Sequence, residues 1–234
     1  GHVAGARENF RRLYIAMDGS FEDYLAQFSD KTRSTLRRKA KKFAEADGGT
    51  LDVRAYAGAS QVAQFLDHAL PPSQKTYQAR LLDAGLPDSD EARTAMLAEA
   101  EAGNMRCFLL FLAGEPVAYL SLPVRGQTLV YAHLGYDPAH SALSPGTVLQ
   151  MEALRMLFDE GRFRYFDFTE GEGAHKALFG THSVTCCSFL LLRRTLANRV
   201  LLGARDSFDA GVARAKALTQ VGGSLASARR FLRA

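Results

Sequence analysis

Phe166-Asp167-Phe168-Thr169-Glu170-Gly171-Glu172-Gly173-Ala174-His175-Lys176-Ala177-Leu178-Phe179-Gly180 carries three carboxylates, a histidine and a lysine immediately after an apolar run. Arg164 to Phe168 reads as a strand and Ala174 to Phe179 as a short helix, with a glycine-bearing turn between them. Ser183 to Leu192 follows as a long apolar strand. Ionisable groups at a strand end, in such a turn, are well placed to form a site.

Upstream, Gly146 to Glu160 puts Val148, Met151, Leu154, Leu157 and Phe158 on one face, the spacing of a helix. Before it come three strands, Arg106 to Leu112, Pro116 to Val124 and Thr128 to Tyr136. Short turns at Gly114-Glu115 and Gly126-Gln127 make them an antiparallel meander. A strand–helix–strand crossover beside a meander predicts an α/β (α+β) fold with a mixed, mostly antiparallel sheet flanked by helices.

The first clear element begins after Asp30, where Leu36, Ala40 and Phe43 form a helix stripe among Lys31, Arg33, Arg37, Arg38, Lys39, Lys41 and Lys42. Leu51 to Ala55 alternates as a strand. Val62, Phe65, Leu66 and Ala69 mark a helix expected to end at Pro71-Pro72. Asp88 to Gly103 is a further helix, with acids at its start that suit its dipole. From Leu196 onward apolar residues recur every fourth position, predicting a helical tail. The expected organisation is a lead-in over 1–29, a domain over 30–194 and a basic helical tail over 195–234.

The chain has 234 residues, 47% hydrophobic and 23% charged, and a formal net charge of +4. Residues 193–234 hold nine Arg or Lys against two Asp, a net +7, so the remainder carries −3. A tail of that charge fits an anionic lipid or nucleotide, or simply a solvated helix face. Basic and aromatic residues do not interleave, which disfavours nucleic acid and leaves no DNA partner expected. The three cysteines, Cys107, Cys186 and Cys187, sit in apolar runs and predict buried thiols in a reducing compartment, with neither disulfide framework nor metal site. No apolar run approaches the roughly 20 residues that span a bilayer. The start, Gly1 to Phe10, is polar and carries no signal peptide or initiator Met, so a missing N-terminal part is expected, and the location is read as cytoplasmic or peripheral at the inner membrane face.

Two places carry chemistry. Ser141 to Thr147 joins strand to helix, and its small residues let a phosphate approach the helix N-terminus. The same residues also read as an ordinary helix start, with Ser144 capping and Pro145 at the first position. In the quoted stretch, Glu172 or His175 suits a proton acceptor. Lys176 suits a point-charge contact to a substrate anion. The basic helix reads better as a solvated face than as a phosphate binder.

The element order with these motifs resembles the GNAT acyltransferase superfamily, and more closely its branch similar to cellulose-biosynthesis-type acetyltransferases and FemAB aminoacyltransferases. Asp167, Phe168, Gly171, Glu172 and Lys176 match that branch's motif, and His175 stands where Tyr is usual. Gly135-Tyr136-Asp137 and Pro145-Gly146 match a second motif, and the resemblance spans about Asp30 to Arg194. The usual phosphate turn is kept only at Gly146, with Ser141 and Ser144 at two of its other positions.

The resemblance implies transfer of an acyl group, expected to be acetyl, from acetyl-CoA or another acyl-CoA to an amine, such as an amino sugar or exopolysaccharide precursor. The implied catalytic set is Glu172, His175, Tyr136 and Asp167. Leu134, Gly135, Ser144, Pro145, Gly146 and Thr147 would hold the donor, and Glu170, Gly171 and Lys176 the acceptor. No metal is expected. Two alternatives stand beside this reading: aminoacyl transfer from tRNA, and a catalytically decayed domain that binds an anionic lipid or nucleotide through its tail.

Overall fold

Strands β3 (Met105–Leu112) and β4 (Glu115–Arg125) are nearly continuous apolar runs, and they pair antiparallel along their whole length, from Met105↔Pro123 to Leu112↔Glu115. Unbroken apolar runs suit strands buried on both faces. The computed structural model describes residues 1–76, 85–171 and 173–221. Around this centre the order along the chain is β1 (His2–Ala16), α1 (Phe21–Ala26), α2 (Asp30–Ala46), β2 (Asp52–Tyr56), α3 (Ala59–Gln74), α4 (Asp90–Glu101), β3 and β4. Then follow β5 (Thr128–Val130), β6 (His133–Tyr136), a 3-10 turn (Pro138–Leu143), α5 (Pro145–Glu160), β7 (Tyr165–Asp167), α6 (Ala174–Phe179), β8 (His182–Arg193) and α7 (Leu196–Val221).

The sheet order is β2-β3-β4-β5-β7-β1-β8, with β6 also on β4. Among the registers described, β5 pairs parallel with β7 and the others are antiparallel, as the mixed sheet predicts. The chain divides into two units, Arg11–Val184 and a smaller one of Gly1–Phe10 with Thr185–Ala234. In the larger unit one core joins α1, α2 and α5 to the sheet through residues such as Phe43, Leu120, Leu154 and Phe166. A second core sets α3 and α4 against β3. In the smaller unit Leu202 of α7 packs against Gly5, where a Cβ would meet the leucine at 3.1 Å.

Several elements depart from expectation. A strand and a short helix precede Asp30: β1 joins β7 through Tyr14↔Asp167 and Ile15↔Phe166. Helix α1 is closed by a capping box between Ser20 and Asp23. Helix α3 does not stop at Pro71-Pro72 but runs on to Gln74. Pro71 and Pro72 bring no N–H to the carbonyls of Asp67 and His68 four residues back, but those two residues are exposed, where water can take the place of the missing donors. The expected strand Thr128 to Tyr136 breaks in two: both halves pair with β4, and among the described residues the first half alone also pairs with β7. The uncertain stretch Ser73 to Leu86 falls partly on residues 77–84, outside the described residues.

The cysteines also differ from expectation. Cys107 is buried, but Cys186 is half-buried and Cys187 exposed, and all three are free. Strand β8 is exposed along most of its length, Phe189 and Leu191 included, so its apolar composition does not report burial within its own unit. Among the described residues, no helix is long and apolar enough to cross a membrane.

Candidate functional site

The site grows from the strand that breaks in two. Residues Thr128–Val130 pair parallel with β7 and antiparallel with β4. Among the described residues, the chain from His133 pairs with β4 alone, through Ser121↔His133 to Ala118↔Tyr136. The last link to β7 is the Tyr131 N–H donating to the Asp167 carbonyl at 2.9 Å. Beyond it, β6 and β7 part, and the outer edge of β6 faces an opening.

That opening is a cavity of about 500 Å³ lined by Tyr131, Leu134, Gly135, Tyr136, Ser144, Gly146, Thr147 and His175, together with Thr76, Pro138 and Ser141. Two of the expected catalytic residues, Tyr136 and His175, therefore share one space with five of the six expected donor residues. Pro145, the sixth, is buried and opens α5.

Two glycines are needed for contact here. A Cβ on Gly135 would lie 2.4 Å from the Tyr119 hydroxyl. A Cβ on Gly146 would press on Leu134 and Tyr136 at 3.2 Å. Ser144 occupies the N-cap position with Pro145 after it, but in a left-handed conformation, φ 54° and ψ 47°, and its side chain makes no cap bond. Its N–H donates to the Ser141 carbonyl, and its own carbonyl accepts from Thr147 and Val148. A left-handed non-glycine residue is a local strain held by its surroundings.

His175 sits on α6, whose far end is anchored by the buried Tyr24 hydroxyl donating to the Phe179 carbonyl at 2.8 Å. Its ring lies 4.9 Å from Phe179 and 6.1 Å from Tyr131. Its Nε2 is buried and has no hydrogen-bond partner among the described residues. Burial, and then the nearby charge of Lys39, lower its pKa from 6.5 to about 4, so the ring is neutral near pH 7. Tyr131 is deeply buried, and that burial raises its phenol pKa.

The remaining expected residues lie elsewhere. Asp167 does not reach the cavity. Its carboxylate accepts from Arg12 Nε at 2.8 Å and Nη2 at 2.5 Å, and from the Thr169 N–H at 2.9 Å. Lys176 turns back to its own loop, donating to the Glu170 carbonyl at 2.5 Å. Gly171 has φ +91° and shapes that loop. Glu170, Gly171 and Lys176 are thus neighbours, but none lines the cavity. Glu172 lies outside the described residues.

The basic helix α2 does more than present a solvated face. Lys39 Nζ is 3.4 Å from Thr147 Oγ1, and Lys42 Nζ donates to the Ala142 carbonyl at 2.9 Å. Sequence reasoning found this helix but not its neighbour. Tyr131 and Thr76 were not picked out at all; Thr76 follows the helix expected to stop at Pro72.

An acetyltransferase (GNAT) domain model matches residues 30–177. The chain belongs to the GNAT acetyltransferase family. A search of curated proteins found no match. Among solved structures, this GNAT chain is similar to the C-terminal domain of a protein described as a lysylphosphatidylglycerol synthetase from Agrobacterium fabrum. The TM-score is 0.56 at 15% identity, over 88% of this chain and 66% of that one. L-PGS from Bacillus licheniformis gives 0.55 at 15% identity over the same shares, 88% and 66%. FemX gives 0.52 at 13% identity, over 76% of this chain and 59% of that one. The chain spans no more than 66% of these relatives' length, and the likeness establishes a shared GNAT fold.

Proposed function

We propose that this chain transfers an acyl group, in the first instance acetyl, from an acyl-CoA thioester to a primary amine. The acceptor we favour is an amino sugar or exopolysaccharide precursor. The observation that carries this reading is the unpartnered, buried Nε2 of His175 in the wall of the cavity that also reaches the start of α5.

In the proposed reaction the thioester carbonyl lies along β6, whose outer edge has no strand partner among the described residues. A backbone N–H between Leu134 and Tyr136 would donate to the carbonyl oxygen as it gains charge. The amine attacks the carbonyl carbon, and an N–C bond forms. His175 has too low a pKa to strip a free ammonium. It takes the proton from nitrogen once that bond has formed, when the N–H has become far more acidic. The intermediate collapses, the C–S bond breaks, and the thiolate takes a proton from Tyr136, on the same wall.

The test is direct. Purified protein is offered acetyl-CoA with a panel of amines, amino sugars among them, and free thiol is measured. Amine-dependent thiol release that is lost in His175→Ala supports the reading. Binding of aminoacyl-tRNA but not of acetyl-CoA would overturn it in favour of aminoacyl transfer.

A further inference from the structure

The turn before α5 has few backbone donors left for an anion. Pro145 has no N–H. The Ser144 N–H is used by the Ser141 carbonyl, and the Thr147 N–H by the Ser144 carbonyl at 3.0 Å. Of the four residues Ser144 to Thr147, only Gly146 keeps an N–H without a backbone partner among the described residues. A turn built this way offers a diphosphate far less than a run of free N–H groups does.

Charge reaches the turn from another element. Lys39 and Lys42, one turn apart on α2, place their ammonium groups at Thr147 Oγ1 and the Ala142 carbonyl, on the two sides of Ser144. Neither has a carboxylate at ion-pair distance among the described residues, whereas Lys41, between them, faces Glu45 at 3.8 Å. Lys39 is half-buried and close enough to His175, a residue of the cavity wall, for its charge to be felt there. An ammonium bonded only to neutral oxygens gains most when an anion arrives, because charge-assisted hydrogen bonds are the stronger kind.

We infer that Lys39 and Lys42 are the phosphate anchors of the donor, taking over the work of the N–H groups that the turn before α5 lacks. This rests on the donor reading above and deepens it. The ligand class is a diphosphate-bearing thioester carrier, and specificity for its charged end is set from α2 rather than by the turn alone.

The test uses the full chain and two probes, acetyl-CoA and acetyl-pantetheine, which carries the thioester without phosphates. Lys39→Met and Lys42→Met should each weaken acetyl-CoA binding on the order of tenfold and lower its salt dependence. Acetyl-pantetheine binding should stay unchanged, and Lys41→Met should leave both probes unaffected. Melting curves establish that each variant is folded. Acetyl-CoA binding within twofold of wild type in the double variant overturns the inference and leaves the donor reading intact. An equal loss in Lys41→Met also overturns it, since general surface charge then suffices. Failure of the wild-type chain to bind acetyl-CoA overturns both.

Discussion

Arg12 on β1 holds the carboxylate of Asp167 on β7 through two guanidinium nitrogens, tying two neighbouring strands together beside the fork in the sheet. Asp167 was expected among the catalytic groups, yet its oxygens are occupied by Arg12 and the Thr169 N–H. Asp167→Asn should therefore act on the fold. Loss of charge-assisted hydrogen bonds costs about 1–3 kcal/mol, or a few degrees in Tm for a chain this size. Donor affinity should be unchanged. A thermal melt beside a binding titration checks both halves.

His175→Ala should lower turnover by on the order of 10²–10⁴ while leaving the Tm of the larger unit near wild type, as expected for a group that moves a proton. Steady-state kinetics with saturating acetyl-CoA measures it. Turnover within a factor of a few of wild type would sink the role given to this residue.

The same histidine gives a pH dependence of stability. Its pKa is about 4 in the fold and 6.5 unfolded, so between those values the unfolded chain binds the proton more readily. Stability should fall as pH drops from about 6.5 toward 4, and His175→Gln should flatten that slope. Denaturant melts at several pH values across the window, on both proteins, decide it.

Gly135→Ala should destabilise the chain by about 1–3 kcal/mol, because the new methyl meets a buried tyrosine ring and not a mobile side chain. Tyr119→Ala in the same chain should recover part of the loss beyond simple additivity. A double-mutant cycle on unfolding free energy reads this coupling.

The thiols should react in order of exposure. Cys187 is exposed, while Cys107 is buried and its thiol is pushed up to about 12. A thiol-specific chromophore should label Cys187 at once and Cys107 only after denaturation.

Much of this was legible from pattern alone. The short helix Ala174–Phe179 was read to the residue, and α5 was read from its apolar stripe, because both are local. Strand β1 was not, because its partners on β7 lie some 150 residues away and its arginines hide the alternation. The break at Tyr131–Ala132 was invisible, since apolar periodicity says where a strand faces core but not which neighbour it pairs with. Lys39 and Lys42 were named within a basic run, yet their meeting with Thr147 and Ala142 is a contact across about 100 residues that no local reading supplies. The cap position of Ser144 was legible but its left-handed backbone was not, because capping sequences and left-handed turns draw on the same small polar residues.

Helix α3 passes through Pro71-Pro72 to reach Lys75 and Thr76, and this has a thermodynamic meaning. Lys75 Nζ bonds the Asp137 carboxylate at 2.8 Å, and Thr76 lines the cavity. Two locked φ angles just ahead of these residues restrict the unfolded chain, so less entropy is lost when the wall of the cavity forms. The prolines act as a stiff strut behind this part of the cavity lining.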